Sequence, residues 1–523
     1  MTVAIIRLII LTSAMALLTL ATPAHADWRR AESPNFIVYS QGHEGDLRRY
    51  TRNLEIYDYI LRARMGLPAA ATGRKLPIYL VRGRGGLVQI HPDTGPNVAG
   101  IYFPAGEDIF AAAINDREQD YLFHEYFHHF SLQLPSTSGY PGWLIEGLAE
   151  YFMTAEVSER SVAIGGYNEN RVYGLFNTSW IPLDILLTRR FGEVRQGSQR
   201  NSYYPLAWLL THWFMSEESR RGQLSAYIRD LQQGADSVAA MERATGLTLD
   251  QITQQLRRYR RLTIHNYTAD FPETPITVTR LPASADDLLL IGQRLKVGVA
   301  EDQRAETAAL VRRLAARHPD DPFAMLQLGH AELHFGDPDE GETILNELLE
   351  REPENVEALQ LMATRYIRLA EDQPDEMLSL MRRARGFLAR AYAADPAHYY
   401  TLQMLAETRQ MAPDYPTEND LVAWDQAFQL APQLASIRLG FANALMEAEE
   451  FEQAVVILRP LANAAHGGQA AQVAATLMTR ATNRQSPFTD AELDAASRDE
   501  VPDGDEGDEG DEANEGELAP PDA

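Results

Sequence analysis

The sequence predicts a small α+β domain over residues 27–270, a linker over 271–284 and an all-α helical-repeat domain over 285–485. Three observations carry that reading. Short runs rich in β-branched and aromatic residues alternate with helical stretches in the first half of the chain. His124-Glu125-Tyr126-Phe127-His128 falls in a stretch of helical periodicity and sets two histidines four residues apart. Beyond residue 285 the strand patterns stop, and prolines recur at Pro319, Pro353, Pro396 and Pro432. With 523 residues the chain is too long for one core, so two or three domains are expected.

The N-terminus has the layout of a secretory signal over residues 1–26. Arg7 precedes an apolar run from Leu8 to Leu20, and Ala24-His25-Ala26 resembles a cleavage site, which makes Asp27 the first mature residue. That run is short for a membrane span, so no stable span is expected in the mature chain. The chain has no cysteine. An exported protein without disulfides fits a bacterial periplasm or the medium, so a periplasmic or secreted location is expected. The formal net charge is −27. Such a chain repels polyanions, which argues against nucleic acid as a partner.

The elements follow in order. Asn35–Tyr39 and Leu76–Val81 read as strands around a helix from Gly45 to about Met65. Val98–Phe103 and Asp108–Ala113 read as two more strands. A helix from about Arg117 to Leu132 carries both histidines, and the breakers of residues 135–142 end it in a loop. Helices are expected over Trp143–Thr154, Ser202–Ser216, Leu224–Gln233 and Leu249–Tyr259. Arg82-Gly83-Arg84-Gly85-Gly86 reads as a turn, because no Lys-Ser/Thr pair follows to make a phosphate loop.

The proline spacings lie near the period of a tetratricopeptide repeat. Gly329, Gly341 and Leu345 share their offsets with Ala442, Ala454 and Leu458, and small residues suit the place where the two helices of a repeat cross. From about Ser486 the chain turns into an acidic tail. Twelve acids and no Lys or Arg lie between Asp499 and the C-terminus, a composition that cannot bury enough surface to fold.

Histidines four apart project from one helical face, so two imidazole nitrogens can reach one Zn²⁺ while Glu125 holds a water beside it. Leu122, Phe123, Phe127 and Phe130 set the motif into a core. A histidine-rich amphipathic helix, with His129 beside the motif, is the competing structural account. A zinc hydrolase needs a third protein ligand. Trp143-Leu144-Ile145-Glu146-Gly147-Leu148-Ala149-Glu150-Tyr151-Phe152 offers two candidates, and Glu146 follows His128 by 17 intervening residues.

The pairing of these two segments resembles the gluzincin metallopeptidases, among them the peptidase-MA-like group of exported bacterial proteins. The resemblance covers about Trp28 to Tyr259 and implies an α+β metallopeptidase domain, a small sheet plus the H-E-x-x-H helices. It implies zinc ligands His124, His128 and Glu146, with Glu125 as the general base acting on a water at the metal. Glu146 is preferred to Glu150 because in similar proteins the ligand precedes a glycine, where a small residue lets the second helix approach the first. Glu150, one turn on, would accept the outer N–H of a ligating imidazole; a surface carboxylate is the alternative. The resembling families often use a tyrosine to stabilise the oxyanion. Tyr203-Tyr204 stands where it would come from, with Tyr204 favoured and plain aromatic packing as the alternative. The spacer to Glu146 is one residue shorter than is common in the aminopeptidase branch, and the G-x-M-E-N segment that grips a free amino terminus is absent from the sequence. Ala99–Phe103 offers an edge strand for an extended substrate instead, with an ordinary sheet strand as the equal alternative.

The expected activity is therefore hydrolysis of a peptide or protein substrate at Zn²⁺, with the repeats recruiting a protein partner or that substrate. The alternative is a catalytically inactive, peptidase-like scaffold. His91, His330 and His334 show no ligand set; the last two share an i, i+4 spacing with no carboxylate motif beside them.

Overall fold

The computed structural model describes residues 25–487 apart from 69–73, 97, 116–119, 135–136, 138–139, 196, 198, 260–261 and 465–467. The expected leader lies outside the described residues except for its last two, and so does the acidic tail from residue 488. Among the described residues, no helix is long and apolar enough to cross a membrane.

Six strands form the main sheet: β1 (His25–Glu32), β2 (Phe36–Ser40), β3 (Leu76–Val81), β4 (Gly100–Pro104), β5 (Ile109–Ile114) and Thr277–Pro282. The last is β9 in chain order, and the sheet runs β4-β5-β3-β2-β1-β9. β2, β3 and β5 are parallel, while β4 and β9 pair antiparallel at the two edges. A small second sheet joins β6 (Glu156–Val157), β7 (Ser161–Ile164) and β8 (His265–Thr268).

The alternation of side chains across a strand assigns each face of the main sheet a cover. Phe36, Val38, Leu76, Ile78, Leu80 and Ala111 point towards α1 (Glu44–Met65) and the histidine-bearing helix. On the other face Trp28, Tyr79, Val81, Phe110 and Ala112 pack with Leu87 and Ile90 of α2 (Arg84–Ile90). Ala285 and Leu289 complete that second layer, although they belong to the repeat half. The segment 82–86 is thus a turn that runs on into a short helix, Gly83 supplying the left-handed conformation (φ 84°) before it.

The rest of the first half is helical: α3 (Asp120–Leu132), α4 (Gly142–Met153), α5 (Glu169–Asn177), α6 (Leu183–Thr188), α7 (Tyr203–Met215), α8 (Glu218–Gln232), α9 (Ser237–Thr245) and α10 (Leu249–Arg258). The expected linker needs correction. Its residues 277–282 are strand β9, paired with β1 from Glu32↔Thr277 to His25↔Pro282 with an irregularity between. The prolines of 272–282 suggest a tether, but Thr277–Pro282 lies at the sheet edge, where a mostly exposed strand ending in proline and an unpaired backbone side are tolerated.

The repeat half holds helices in pairs: α11 (Ala285–Val297) with α12 (Arg304–Ala315), α13 (Pro322–Phe335) with α14 (Pro338–Arg351), and α15 (Val356–Asp372) with α16 (Met377–Ala394). Then come α17 (Tyr399–Glu407) with α18 (Glu418–Leu430), α19 (Ala435–Glu447) with α20 (Phe451–Ala462), and α21 (Gly468–Thr482). Local chemistry sets the starts. Asp321 and Asp337 each accept two backbone N–H groups and each is followed by a proline at the first helical position. The small residues sit at crossings, as expected. A Cβ on Gly329 would meet Leu345 at 2.7 Å, and one on Gly341 would meet the backbone of Leu333 at 2.6 Å.

The first helix of four of five successive pairs touches the sheet half, and the remaining one, α15, bonds to α17. Gln293 of α11 donates to the Tyr79 hydroxyl (2.6 Å), and His330 of α13 approaches Glu107 in the β4–β5 turn (3.3 Å). Buried Gln360 of α15 bonds Thr401 of α17, whose Tyr399 hydroxyl donates to the Gly106 carbonyl (3.0 Å). Arg438 of α19 donates to the Leu132 carbonyl at the end of α3 (3.2 Å).

Candidate metal centre

α3 is held on the face away from its two metal-type histidines. Tyr126 donates to Asp58 Oδ1 (2.6 Å), Asp58 is paired with Arg62 (2.6 Å), and Tyr57 donates to the Phe123 carbonyl (3.2 Å). Phe127 stacks on Phe152 of α4 with ring centroids 5.4 Å apart, which brings the two helices side by side. Trp143, at the start of α4, anchors that helix by donating to the Tyr227 hydroxyl (3.1 Å).

His124 and His128 therefore face Glu146. Their Nε2 atoms lie 3.0 Å apart, and Glu146 Oε2 lies 3.4 Å from His128 Nε2 and 3.7 Å from His124 Nε2. Zinc bonds of about 2.0–2.1 Å in a tetrahedron require ligand atoms roughly 3.3 Å apart. The donor set fits such an ion without rearrangement. Glu146 is fully buried, so its carboxylate needs a cationic or hydrogen-bonding counterpart in this interior.

Glu150 lies one turn further along α4 and is 1% exposed, which removes the surface-carboxylate alternative. Its Oε1 is 3.3 Å from His124 Nδ1, and its Oε2 accepts from Arg171 Nε at 3.0 Å. Burial by itself disfavours the Glu150 anion, but Arg171 and His124 outweigh it and hold the carboxyl below its usual range. Burial likewise works against protonated His124, yet Glu150, Glu125 and Glu146 together raise its pKa. With Glu150 balanced by Arg171, the two remaining carboxylates, Glu125 and Glu146, match the charge of a divalent cation.

Glu125 is half-buried on the same helix, next to His124. Tyr204 comes from the start of α7; its ring lies 6.4 Å from that of His124, beneath the Arg171 guanidinium at 5.1 Å. Tyr203 points elsewhere and donates to the Arg189 carbonyl (3.0 Å). His129 also turns away, pairing with Tyr102 of β4 (2.9 Å) and Gln133 (2.7 Å), and burial followed by Arg74 pushes its pKa down to about 3. β4 is a sheet edge beside α3.

Two sequence expectations change. Gly147 does not serve the approach of α4 to α3: a Cβ there would meet Thr211 Oγ1 at 2.2 Å and the Ala207 carbonyl at 2.6 Å, both on α7. Adjacent helical residues point about 100° apart, so a neighbour of Glu146 faces a different helix. His330 and His334 do have a carboxylate, Glu107, which is distant in sequence. Sequence reasoning also misses Arg171, since nothing in its spacing connects it to Glu150.

Comparison with known proteins bears on the repeat half. Residues 299–364 match the tetratricopeptide repeat family. Among solved structures, the chain is similar to a thermophilic TPR protein in Thermus thermophilus, at 16% identity over 35% of this chain and 98% of that one, with a TM-score of 0.27. It is also similar to MamA of AMB-1, at 16% identity over 32% of this chain and 91% of that one, with a TM-score of 0.24. No curated protein matches the chain. The protein thus contains tetratricopeptide-like helical repeats beside an N-terminal region with a small sheet, and repeats of this kind build protein-binding surfaces.

Proposed function

We propose that this chain is an exported zinc-dependent peptidase of the endo type, with its helical repeats engaging a protein substrate or partner. The observation that carries the proposal is the approach of the buried Glu146 carboxylate to both imidazole Nε2 atoms at 3.4 and 3.7 Å. His124, His128 and Glu146 would hold the ion, which when bound polarises a carbonyl and lowers the pKa of a water. Glu125 takes a proton from the attacking water and returns it to the leaving amine. Glu150, kept ionised by Arg171, accepts the Nδ1–H of His124 and so presents Nε2 to the site. Tyr204 supplies a hydroxyl for the developing oxyanion, and the open edge of β4 offers main-chain groups to an extended peptide.

Glu125→Gln tests the mechanism. It should retain the metal and lower kcat/KM on a protein substrate by roughly 10²–10⁴; undiminished turnover would remove Glu125 from the chemistry.

A second reading, an inactive peptidase-like scaffold for protein–protein interaction, is favoured by the family match, which lies entirely in the repeats. Metal analysis of the purified protein before and after chelation separates the two. A folded chain that takes up no zinc supports the scaffold.

A further inference from the structure

A second set of ligand-type side chains lies where the sheet half meets the repeats. Glu107 occupies the β4–β5 turn, and His330 and His334 stand one turn apart on α13. One potential ligand atom from each lies within 4.8 Å of the others, the same limit that His124, His128 and Glu146 satisfy. His330 Nε2 is 3.3 Å from Glu107 Oε2, close to the spacing of two ligands on one tetrahedral ion. The rings of His330 and His334 have centroids 4.8 Å apart at 62°, against 4.8 Å and 70° for His124 and His128.

His330 is fully buried, and among the described residues neither of its ring nitrogens makes a hydrogen bond; the same holds for His334 Nε2. Buried polar groups in this state lose their solvation without a replacement. We propose that Glu107, His330 and His334 form a second binding site for a divalent transition-metal ion, tying the β4–β5 turn to the repeats. Two imidazoles and one carboxylate suit zinc or cobalt rather than magnesium or calcium.

The surrounding charges are compatible with such an ion. Lys296 is occupied by Glu357 at 3.0 Å. Arg368 donates to His334 Nδ1 at 2.8 Å, which leaves the neutral ring's proton on Nε2. Binding through Nε2 requires that proton to move to Nδ1 and Arg368 to swing away, which its exposed position permits. Arg368 is thus a competitor of the ion.

The experiment is a titration of the metal-stripped mature chain with Co²⁺, and separately with Zn²⁺, followed by visible absorption and metal content. Two equivalents are expected per chain. Glu107→Gln and His330→Gln should each lose one, Glu146→Gln should lose the other, and Glu107→Gln with Glu146→Gln should lose both. Glu107→Gln is nearly isosteric in a turn, so it decides the matter even if His330→Gln does not fold. Arg368→Ala should tighten the second equivalent severalfold. Metal uptake unchanged by Glu107→Gln overturns the inference, and so does weaker binding in Arg368→Ala. A single equivalent lost in Glu107→Gln but kept in Glu146→Gln upholds this site and refutes the hydrolytic one.

Discussion

Arg171 and Gly147 make the sharpest demands on single side chains. Arg171 pairs with the buried Glu150 at 3.0 Å, and Glu150 in turn meets His124. Arg171→Met leaves that carboxylate to His124 alone. Metal affinity should fall about 10–100-fold, read by competition with a chromogenic chelator; unchanged affinity would detach Glu150 from the ligand's orientation. Gly147→Ala forces a methyl group against Thr211 and a backbone carbonyl of α7. A loss of ~1–3 kcal/mol in urea unfolding is expected, and a neutral result would mean that α4 and α7 separate freely. The pair His124 and His128 was legible in the sequence because helical spacing puts both on one face, whereas Glu146 was separated from Glu150 only by the family resemblance. Arg171 and Glu107 were not, since each reaches its partners only through the packing of separate elements.

At the scale of elements, α3 is fastened on its flank by α1 and at its end by the repeats. Arg438 is buried without an acidic partner among the described residues and donates to the carbonyls of Pro432, Ile457 and Leu132, the last at the negative end of α3. Burial alone pulls its pKa down to about 10, so it still carries its charge at neutral pH. Arg438→Leu should cost ~1.5–3 kcal/mol and speed amide exchange in residues 129–132. Slow exchange there in the variant would show that the α3 end is secured by other contacts. Strands β2 to β5 were readable within a residue or two of their ends, because short apolar runs bounded by breakers mark strands whether central, as β3 and β5, or at an edge, as β4. Only His25 and Ala26 of β1 fall in the expected leader; the strand was missed because the rest, residues 27–32, carries four charged residues and no apolar run. β6 spans two residues, too few for any periodicity, and β9 is a polar edge strand whose pairing partner lies some 250 positions earlier.

Across the whole molecule, buried histidines link stability to pH. His212 lies fully buried between Tyr259 and the Gly165 carbonyl, and His398 meets Gln360; burial is the leading cause that lowers both pKa values, with Arg74 adding to it at His398. Each folded value lies below the unfolded one, so the unfolded chain binds more protons in the interval between them. Their stabilisation is complete above the ordinary imidazole pKa of ~6.5 and is lost as pH falls from there towards the folded values. The loss is at most ~1.4 kcal/mol per pH unit for each proton. Urea midpoints at pH 7.5 and 5.5 should record it, and His398→Gln should flatten the fall; a midpoint equal at both pH values contradicts the assignment. The pairing of β1 with β9 has a further result for biosynthesis. A ribosome must deliver residue 282 before β1 gains its second neighbour, and residue 289 before Trp28 and Phe110 are roofed over. Until then the nascent chain displays an open strand border and a bare greasy layer, the kind of surface that holdase chaperones shelter.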